Sequence, residues 1–437
     1  MTGRQVLVLA LFLVCYVYLC VGRRYKSVVV WAAAVLFVAV GFISPRAALA
    51  SLNWNVLGTF AGTFVVAQLF AGSGVPLLLA RGLVARSHSV GMAIVLVCLL
   101  GGFVSAWVDN VATLLIVAPV AFVMAEHLKA DPAPFLIGVA LSSNLQGSGT
   151  LIGDAPSMIL AGYAGMDFND FFWMLGRPGL FFAVQAGALA SVMVFLVLFR
   201  RFRQTPASLP SARVTGWVPT LLLVGIILVL AVLNILRAPF AYKNGVTCLA
   251  AGAIGVAWFY GRLRRRKGVR EAWAHLREKL PGFPWDTVLL LAGLFVLVGT
   301  LSEAGLIDAI ARGIHAVTGG SLALTFVALV WISVILSGFI DNIPYITALV
   351  PVVLSLGAAM GASQRDVFVL LFGLLLGGTV GGNLTPIGAS ANVVAVGMLE
   401  QQGHRVSFGR FMRIGVPFTL VATVAAAGFI WVFWRGR

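Results

Sequence analysis

What this chain lacks is charge. Only 10% of its 437 residues are charged while 60% are hydrophobic, and the mean hydropathy is +1.02. A soluble domain carries roughly a quarter charged residues, so the scarcity excludes a water-soluble fold and points to a polytopic membrane protein. Acidic residues are scarcest, 14 against 30 Lys and Arg, which leaves a net charge of +16. The cations fall in short loops between apolar runs, the positive-inside pattern of a membrane protein and not a nucleic-acid patch. Cysteine is sparse too: Cys15, Cys20, Cys98 and Cys248 all lie inside apolar runs, which excludes a disulfide framework. The five histidines fall in predicted loops without metal-ligand spacing, and no nucleotide-binding loop occurs. No cofactor is expected. The deep polar residues offer no nucleophile–base pair, so an enzyme is not expected either. The first apolar run, 5–21, has the length of a signal peptide, but its positive cluster (Arg23, Arg24, Lys26) follows the run and no small-residue cleavage site is evident. It reads as a span.

What is present is a stretch that occurs twice. VDNVATLLIVAP (108–119) is followed by GSGTLIGDAPSMI (147–159), and IDNIPYITALVP (340–351) by GGNLTPIGASANVV (381–394). The halves align at nearly constant offset: Trp54, Gly62 and Gly74 match Trp285, Gly293 and Gly305; Asp109, Asn110 and Pro119 match Asp341, Asn342 and Pro351; Gly147, Thr150 and Gly153 match Gly382, Thr385 and Gly388. Repeat 1 (1–200) is read as scaffold helices within 5–72, a hairpin at 89–125, a broken helix at 133–164 and a span at 178–199. A linker, 201–216, joins it to repeat 2 (217–437), with scaffold helices within 217–302, a hairpin at 320–358, a broken helix at 364–400 and a span at 411–434. Segments 74–86 and 305–317 are expected to be surface-lying helices before each hairpin, and the basic stretch 263–280 an interfacial helix.

Placing each Asp-Asn pair at a hairpin tip avoids leaving a carboxylate in mid-span, which costs at least ~2.5 kcal/mol on insertion scales. It also leaves five crossings per repeat, an odd number, so the second copy enters the membrane from the opposite side. The fold class expected is all-α, with two inverted-topology repeats, each of five spans (one a broken helix) plus a re-entrant hairpin. Under this assignment 21 of the 30 Lys and Arg lie on one face and 9 on the other. The first face reads as cytoplasmic, with both termini outside, in a bacterial-type inner membrane.

Only three acidic residues fall deep in apolar context, Asp109, Asp154 and Asp341, all within the duplicated motifs. An intramembrane carboxylate is a functional residue by default. The glycine runs permit unwound backbone, which exposes carbonyls toward cations and half-helix N-termini toward anions. The first ion site is therefore read as Asp109, Asn110, Ser148, Thr150, Asp154 and Ser157, with Na⁺ a candidate at Asp109, Asn110, Thr150 and Asp154. The second is Asp341, Asn342, Asn383, Thr385, Ser390 and Asn392. Asp154 precedes Ala155-Pro156 and is placed to cap the second half-helix; Ser390 is placed to cap the equivalent one. The sites differ, because Ala389 stands where Asp154 has its counterpart, so the first suits Na⁺ or H⁺ and the second a substrate.

These motifs, DN followed by apolar residues and Pro, then IGD-x-P, with IGASANVV in the second half, resemble the ArsB/NhaD ion-transporter superfamily. The second motif is especially similar to that of the melanosomal P protein branch. The resemblance covers essentially the whole chain. It implies a scaffold domain, a transport domain with two hairpins and two broken helices, and a homodimer working by an elevator-like movement. Where the family often has IGDPxN, this chain has Gly153-Asp154-Ala155-Pro156-Ser157, so Ser157 replaces the amide that Asn392 keeps. The expected activity is secondary ion transport coupled to H⁺ or Na⁺, as cation/proton antiport or as proton-coupled efflux of arsenite or another oxyanion or carboxylate. An ion channel is the alternative of another class. The expected partners are a small inorganic or organic ion and the lipid bilayer.

Overall fold

The computed structural model describes residues 2–435 apart from 23–24, 128–129, 205–213, 237–239, 241, 272 and 275–282. In lipid each backbone group must bond within its own segment, and the apolar runs accordingly form helices. Repeat 1 contains α1 (Gly3–Val21), α2 (Lys26–Ala39), the short α3 (Pro45–Ala50), α4 (Trp54–Ala71), α5 (Val75–Val84), α6 (Val90–Ser105), α7 (Asn110–His127), α8 (Ala133–Gly147), α9 (Ala155–Ala164) and α10 (Leu180–Phe199). Repeat 2 contains α11 (Val218–Ile235), α12 (Lys243–Lys267), α13 (Trp285–Glu303), α14 (Leu306–Thr318), α15 (Leu322–Ser337), α16 (Asn342–Ala359), α17 (Gln364–Val380), α18 (Ser390–Gln401) and α19 (Phe408–Trp434). Among the described residues, nine helices are long and apolar enough to cross a membrane, or ten if the bent pair α14–α15 is one span.

Both long Asp-Asn segments fold back. Ser355, late in α16, donates from its hydroxyl to Asp308 in α14 at 2.6 Å. A continuous helix from 322 would carry Ser355 about 50 Å away at ~1.5 Å per residue, so α15 and α16 form a hairpin. In the first copy the surface helix α5 touches both arms, α6 and α7.

The last helix shows that the two hairpins are upside down relative to each other. Helix α19 has 27 residues, about 40 Å. Near its N-terminus Arg410 pairs with Asp131, just beyond the first hairpin. Near its C-terminus Trp431 stacks on Phe326, in the entering arm of the second hairpin, at 5.4 Å. The open ends of the hairpins therefore lie at opposite ends of α19. Helix α10 packs antiparallel along it, since Trp434 donates to the Pro178 carbonyl at 2.8 Å. Thr215 bonds Ser73 and Val90 bonds Gln204 through the backbone, each at 2.8 Å. Loops assigned to one face thus meet in space. On the other face Lys243 pairs with Asp167 at 2.7 Å.

Two elements were not anticipated, α3 and a two-residue-per-strand hairpin, β1 (Trp173–Met174) with β2 (Arg177–Pro178). Of the basic stretch 263–280, α12 takes the start, and Trp273 is exposed with its ring 5.2 Å from Tyr260. Leu276, Leu280 and most of the linker 201–216 lie outside the described residues.

Helices α4 and α12 pack backbone to backbone. A Cβ on Gly62 would lie 2.1 Å from the Cys248 carbonyl carbon, the close approach that small residues allow between membrane helices. Gly225 in α11 faces open space. Gly62→Ala is expected to cost roughly 1–3 kcal/mol by overpacking, seen as a lower melting temperature of the purified protein in detergent. Gly225→Ala should leave that temperature unchanged or raise it slightly.

Candidate functional site

The hairpin tips and the helix breaks meet in the interior. At each tip the aspartate serves its own helix. Asp109 Oδ1 accepts from the backbone N–H groups of Val111 (3.0 Å) and Ala112 (3.3 Å), and Asp341 Oδ1 from that of Ile343 (3.2 Å). These are capping bonds, favoured by the positive end of the helix. The second oxygen of Asp341 accepts from the Ser390 hydroxyl at 2.7 Å.

The breaks lean on the tips. Thr150 donates its hydroxyl to the carbonyl of Ala106, and Thr385 donates to that of Gly338. A Cβ on Gly153 would lie 2.6 Å from the Gly147 carbonyl oxygen and 2.8 Å from that of Ser105; on Gly388 it would lie 2.6 Å from Gly382 O and 2.8 Å from Gly338 O. Only glycine fits either place, and the two places are equivalent. Ser148 turns away, back-bonding to Leu145 O at 2.6 Å.

Between the two breaks runs a chain of side-chain amides. Ser105 donates to Asn110 Oδ1 (2.6 Å). Asn110 Nδ2 donates to Asp154 Oδ2 (2.8 Å) and Asn144 Oδ1 (3.2 Å). Asn144 Nδ2 donates to Asn383 Oδ1 (2.8 Å) and Asn392 Oδ1 (3.0 Å). The chain ends on backbone: Asn383 donates to Leu141 O (3.1 Å), Asn392 to Gly382 O (2.9 Å) and Thr385 O (3.0 Å). All five side chains from Asn110 to Asn392, Asp154 included, are buried.

Asp154 opens α9 as its N-cap, with Pro156 in the first turn; its Oδ1 accepts from the Ala155 N–H at 2.8 Å. It therefore both caps and pairs with Asn110. Ser157 donates to Gly147 O at 3.4 Å, the place in repeat 1 that Asn392 fills toward Gly382 in repeat 2. Ser390, expected as a cap, is instead the first residue of α18; the cap position is Ala389, without a side-chain bond. Asn342 sits in the matching place: its Oδ1 accepts from the Ser337 hydroxyl at 2.8 Å, as Asn110 Oδ1 accepts from Ser105, and its amide nitrogen donates to Thr379 O at 3.4 Å.

Asn110, Asp154, Asn383 and Asn392 thus come together, and Thr150 and Thr385 pin the framework around them. The four residues expected to share a Na⁺ do not converge as oxygen donors in this arrangement. Asp109 and Thr150 make their bonds at the tip, and Asn110 turns its N–H groups toward Asp154. The residue that sequence reasoning missed is Asn144. Its counterpart at the repeat offset is Thr379, which back-bonds to its own helix at Leu375 O (2.8 Å), so comparing the halves does not single it out. An amide in mid-span within ALSSNLQG was the available signal. Ser105 and Ser337 were missed as well, although they match at the tip offset.

The sequence model of the family described as citrate transporter (CitMHS) matches residues 16–377 and again 280–436. An uncharacterized transporter of Mycobacterium tuberculosis is 31% identical over 435 residues, covering 98% of both chains. A 46 kDa membrane protein of Mycobacterium leprae is 30% identical, again over 98% of both. The P protein of Mus musculus is 25% identical over 75% of this chain and 47% of its own length. Among solved structures, the YdaH transporter of Alcanivorax borkumensis, noted for an unusual topology, superposes with a TM-score of 0.56 at 16% identity, covering 99% of this chain and 98% of the other. That likeness concerns the fold.

The equivalence of the two breaks has a measurable consequence. Thr150→Val and Thr385→Val each leave one buried carbonyl unpaired, at a cost of ~1–3 kcal/mol. The two variants should lower the melting temperature by similar amounts; a loss confined to one of them would contradict the equivalence.

Proposed function

The chain belongs to the citrate transporter family, and from that premise we propose that it is a secondary active transporter driven by H⁺ or Na⁺, with Asp154 as the coupling-ion carboxylate. The observation that carries this reading is the bond from Asn110 to Asp154 where two inverted broken helices meet. Such a meeting point is the place an alternating-access carrier needs a site within reach of either face. Asp154 is the carboxylate bonded into that meeting point.

In this reading the scaffold helices within 5–72 and 217–302 form a frame, and the hairpins with the broken helices move past it in an elevator-like stroke. The protein works as a homodimer in a bacterial-type inner membrane, with both termini on the outer side. Cation/proton exchange is the first substrate reading, since the meeting point is lined by carboxylate, amides and hydroxyls. Proton-coupled carriage of an oxyanion or carboxylate, arsenite among them, is the second. It is supported by the description of the family.

Flux into proteoliposomes under an imposed pH or Na⁺ gradient tests the proposal, with radioactive Na⁺, citrate and arsenite as cargoes. Asp154→Asn should cut driven flux of the true cargo at least tenfold, about 1.4 kcal/mol or more, while the protein still folds. Unimpaired flux in that variant would remove Asp154 from the mechanism. Electrical currents far above carrier turnover would point to a channel instead.

A further inference from the structure

The two broken helices match in sequence and differ in surroundings. At the offset that pairs the breaks, Ile152, Met158 and Gly162 correspond to Ile387, Val393 and Gly397. Ile152 and Met158 are 0% and 2% exposed, whereas Ile387 and Val393 are 49% and 51% exposed. A Cβ on Gly162 would lie 2.5 Å from Asn53 Nδ2 and 2.6 Å from Val56 Cγ2, so α9 is pressed against the start of α4. A Cβ on Gly397 would meet nothing within 4 Å among the described residues. The place equivalent to Asn53 and Val56 is the start of α13, at Pro284 and Thr287. Residues three and four apart share a helix face, so Ser390, Val393 and Gly397 lie along one stripe of α18. That stripe is open in the second repeat where its counterpart is covered in the first.

Further bonds hold the far end of α9. Tyr163 packs on Phe295 of α13 with ring centroids 5.9 Å apart. Past the helix, Asp167 pairs with Lys243 of α12 at 2.7 Å, and Asn169 donates to the Ala231 carbonyl of α11 at 3.0 Å. The two broken helices run to opposite ends of the molecule. The loop after α9 reaches Pro178, which Trp434 bonds from the last turn of α19, whereas α18 leads into the first turn of α19. The end at α18 carries Arg405, Arg410 and Arg413 and is the cytoplasmic one in the orientation proposed above.

Resting on the alternating-access reading, we infer that the stripe of Ser390, Val393 and Gly397 is the cytoplasmic entrance of the cargo path, and that Gly162 and Gly397 are seals used in turn. In this state the outer seal is shut at Gly162 and the inner one is open at Gly397. The entrance leads to the exposed Ser390, whose hydroxyl donates to Asp341 at 2.7 Å, the first polar pair that a cargo meets on its way in. In the other state Gly397 closes on the start of α13 while Gly162 leaves α4, and the Asp167–Lys243 pair parts. Each glycine is needed only in the state in which it is shut. A larger residue at Gly162 therefore disfavours the state seen here, and one at Gly397 disfavours the other.

A membrane-impermeant thiol reagent, applied to the full-length protein in inside-out and right-side-out vesicles, tests the pair. The wild type, whose cysteines are buried or half-buried, gives the baseline. Val393→Cys should be labelled from the cytoplasmic side roughly tenfold faster than Met158→Cys, which reacts only when its helix opens. Adding Gly162→Leu should slow labelling at 393 and expose 158 to reagent on the outer side, each by roughly threefold or more, as a shifted population requires. Adding Gly397→Leu should leave 393 reactive and 158 protected. Where a leucine variant does not fold, the alanine variant should shift the same rates in the same directions by less. Three results overturn the inference: Val393→Cys reactive only toward a lipid-soluble reagent, Val393→Cys labelled only from the outer side, or the two glycine variants acting alike. Driven flux in the same vesicles is read separately. Opposite shifts without flux of any cargo remove the carrier reading and leave the paired seals standing.

Discussion

A helix that stops in the middle of a membrane leaves carbonyl and N–H groups that no water can take up. This molecule stops helices there in its hairpins as well as in its two broken segments, and side chains of the breaks supply partners to carbonyls of the hairpin tips. Thr150 reaches the carbonyl of Ala106 and Thr385 that of Gly338, while Gly153 and Gly388 let the backbones approach closely enough for those bonds to form. Neither a broken helix nor a hairpin could sit in lipid with its polar groups satisfied without the other. Tip and break therefore form one structural unit in each repeat, and the amide chain through Asn144 ties the two units together. Helices α4 and α12 are held by different means: they meet through glycines, a contact of shape with few polar commitments.

Much of this was legible in the sequence, and for physical reasons. A span must be about twenty apolar residues long, so the helices announce themselves, and the duplicated Asp-Asn and glycine motifs mark the tips and breaks at a nearly fixed offset. The odd number of crossings inverts the second copy, which α19 bears out through Arg410 at one end and Trp431 at the other. The bonding of individual side chains was not legible. Asp109 and Asp341 look like ligands in a one-dimensional reading, yet each spends an oxygen on its own helix end. Asn144 escaped because its counterpart is Thr379, so the symmetry that revealed the other residues concealed this one. The short α3 and the hairpin of Trp173–Met174 with Arg177–Pro178 carry too few residues to leave a periodic signal.

The interior is notable for what carries its polarity. Ionised groups buried without partners are expensive, and among the described residues only one carboxylate, Asp154, joins the amide chain. The rest is done by neutral carboxamides, each of which offers a donor and an acceptor at fixed geometry without the desolvation cost of a charge. An amide can also be turned over in place. A network of such groups has a sense of direction that a cluster of carboxylates lacks, and aligned bonds strengthen one another.

The inverted duplication has a further consequence. Were the two repeats identical, turning the molecule over in the membrane would give back the same molecule, with no sidedness of its own. Whatever preference the protein has for one side, and any difference in how it treats cargo on the two sides, must then originate where the copies differ. In the interior these differences include Asp154 against Ala389, Ser157 against Asn392, Asn144 against Thr379, Ser148 against Asn383 and Thr113 against Tyr345. Sidedness must come from these side chains and from backbone elements that one repeat has and the other lacks, such as the hairpin of Trp173–Met174 with Arg177–Pro178, where the matching stretch opens α19.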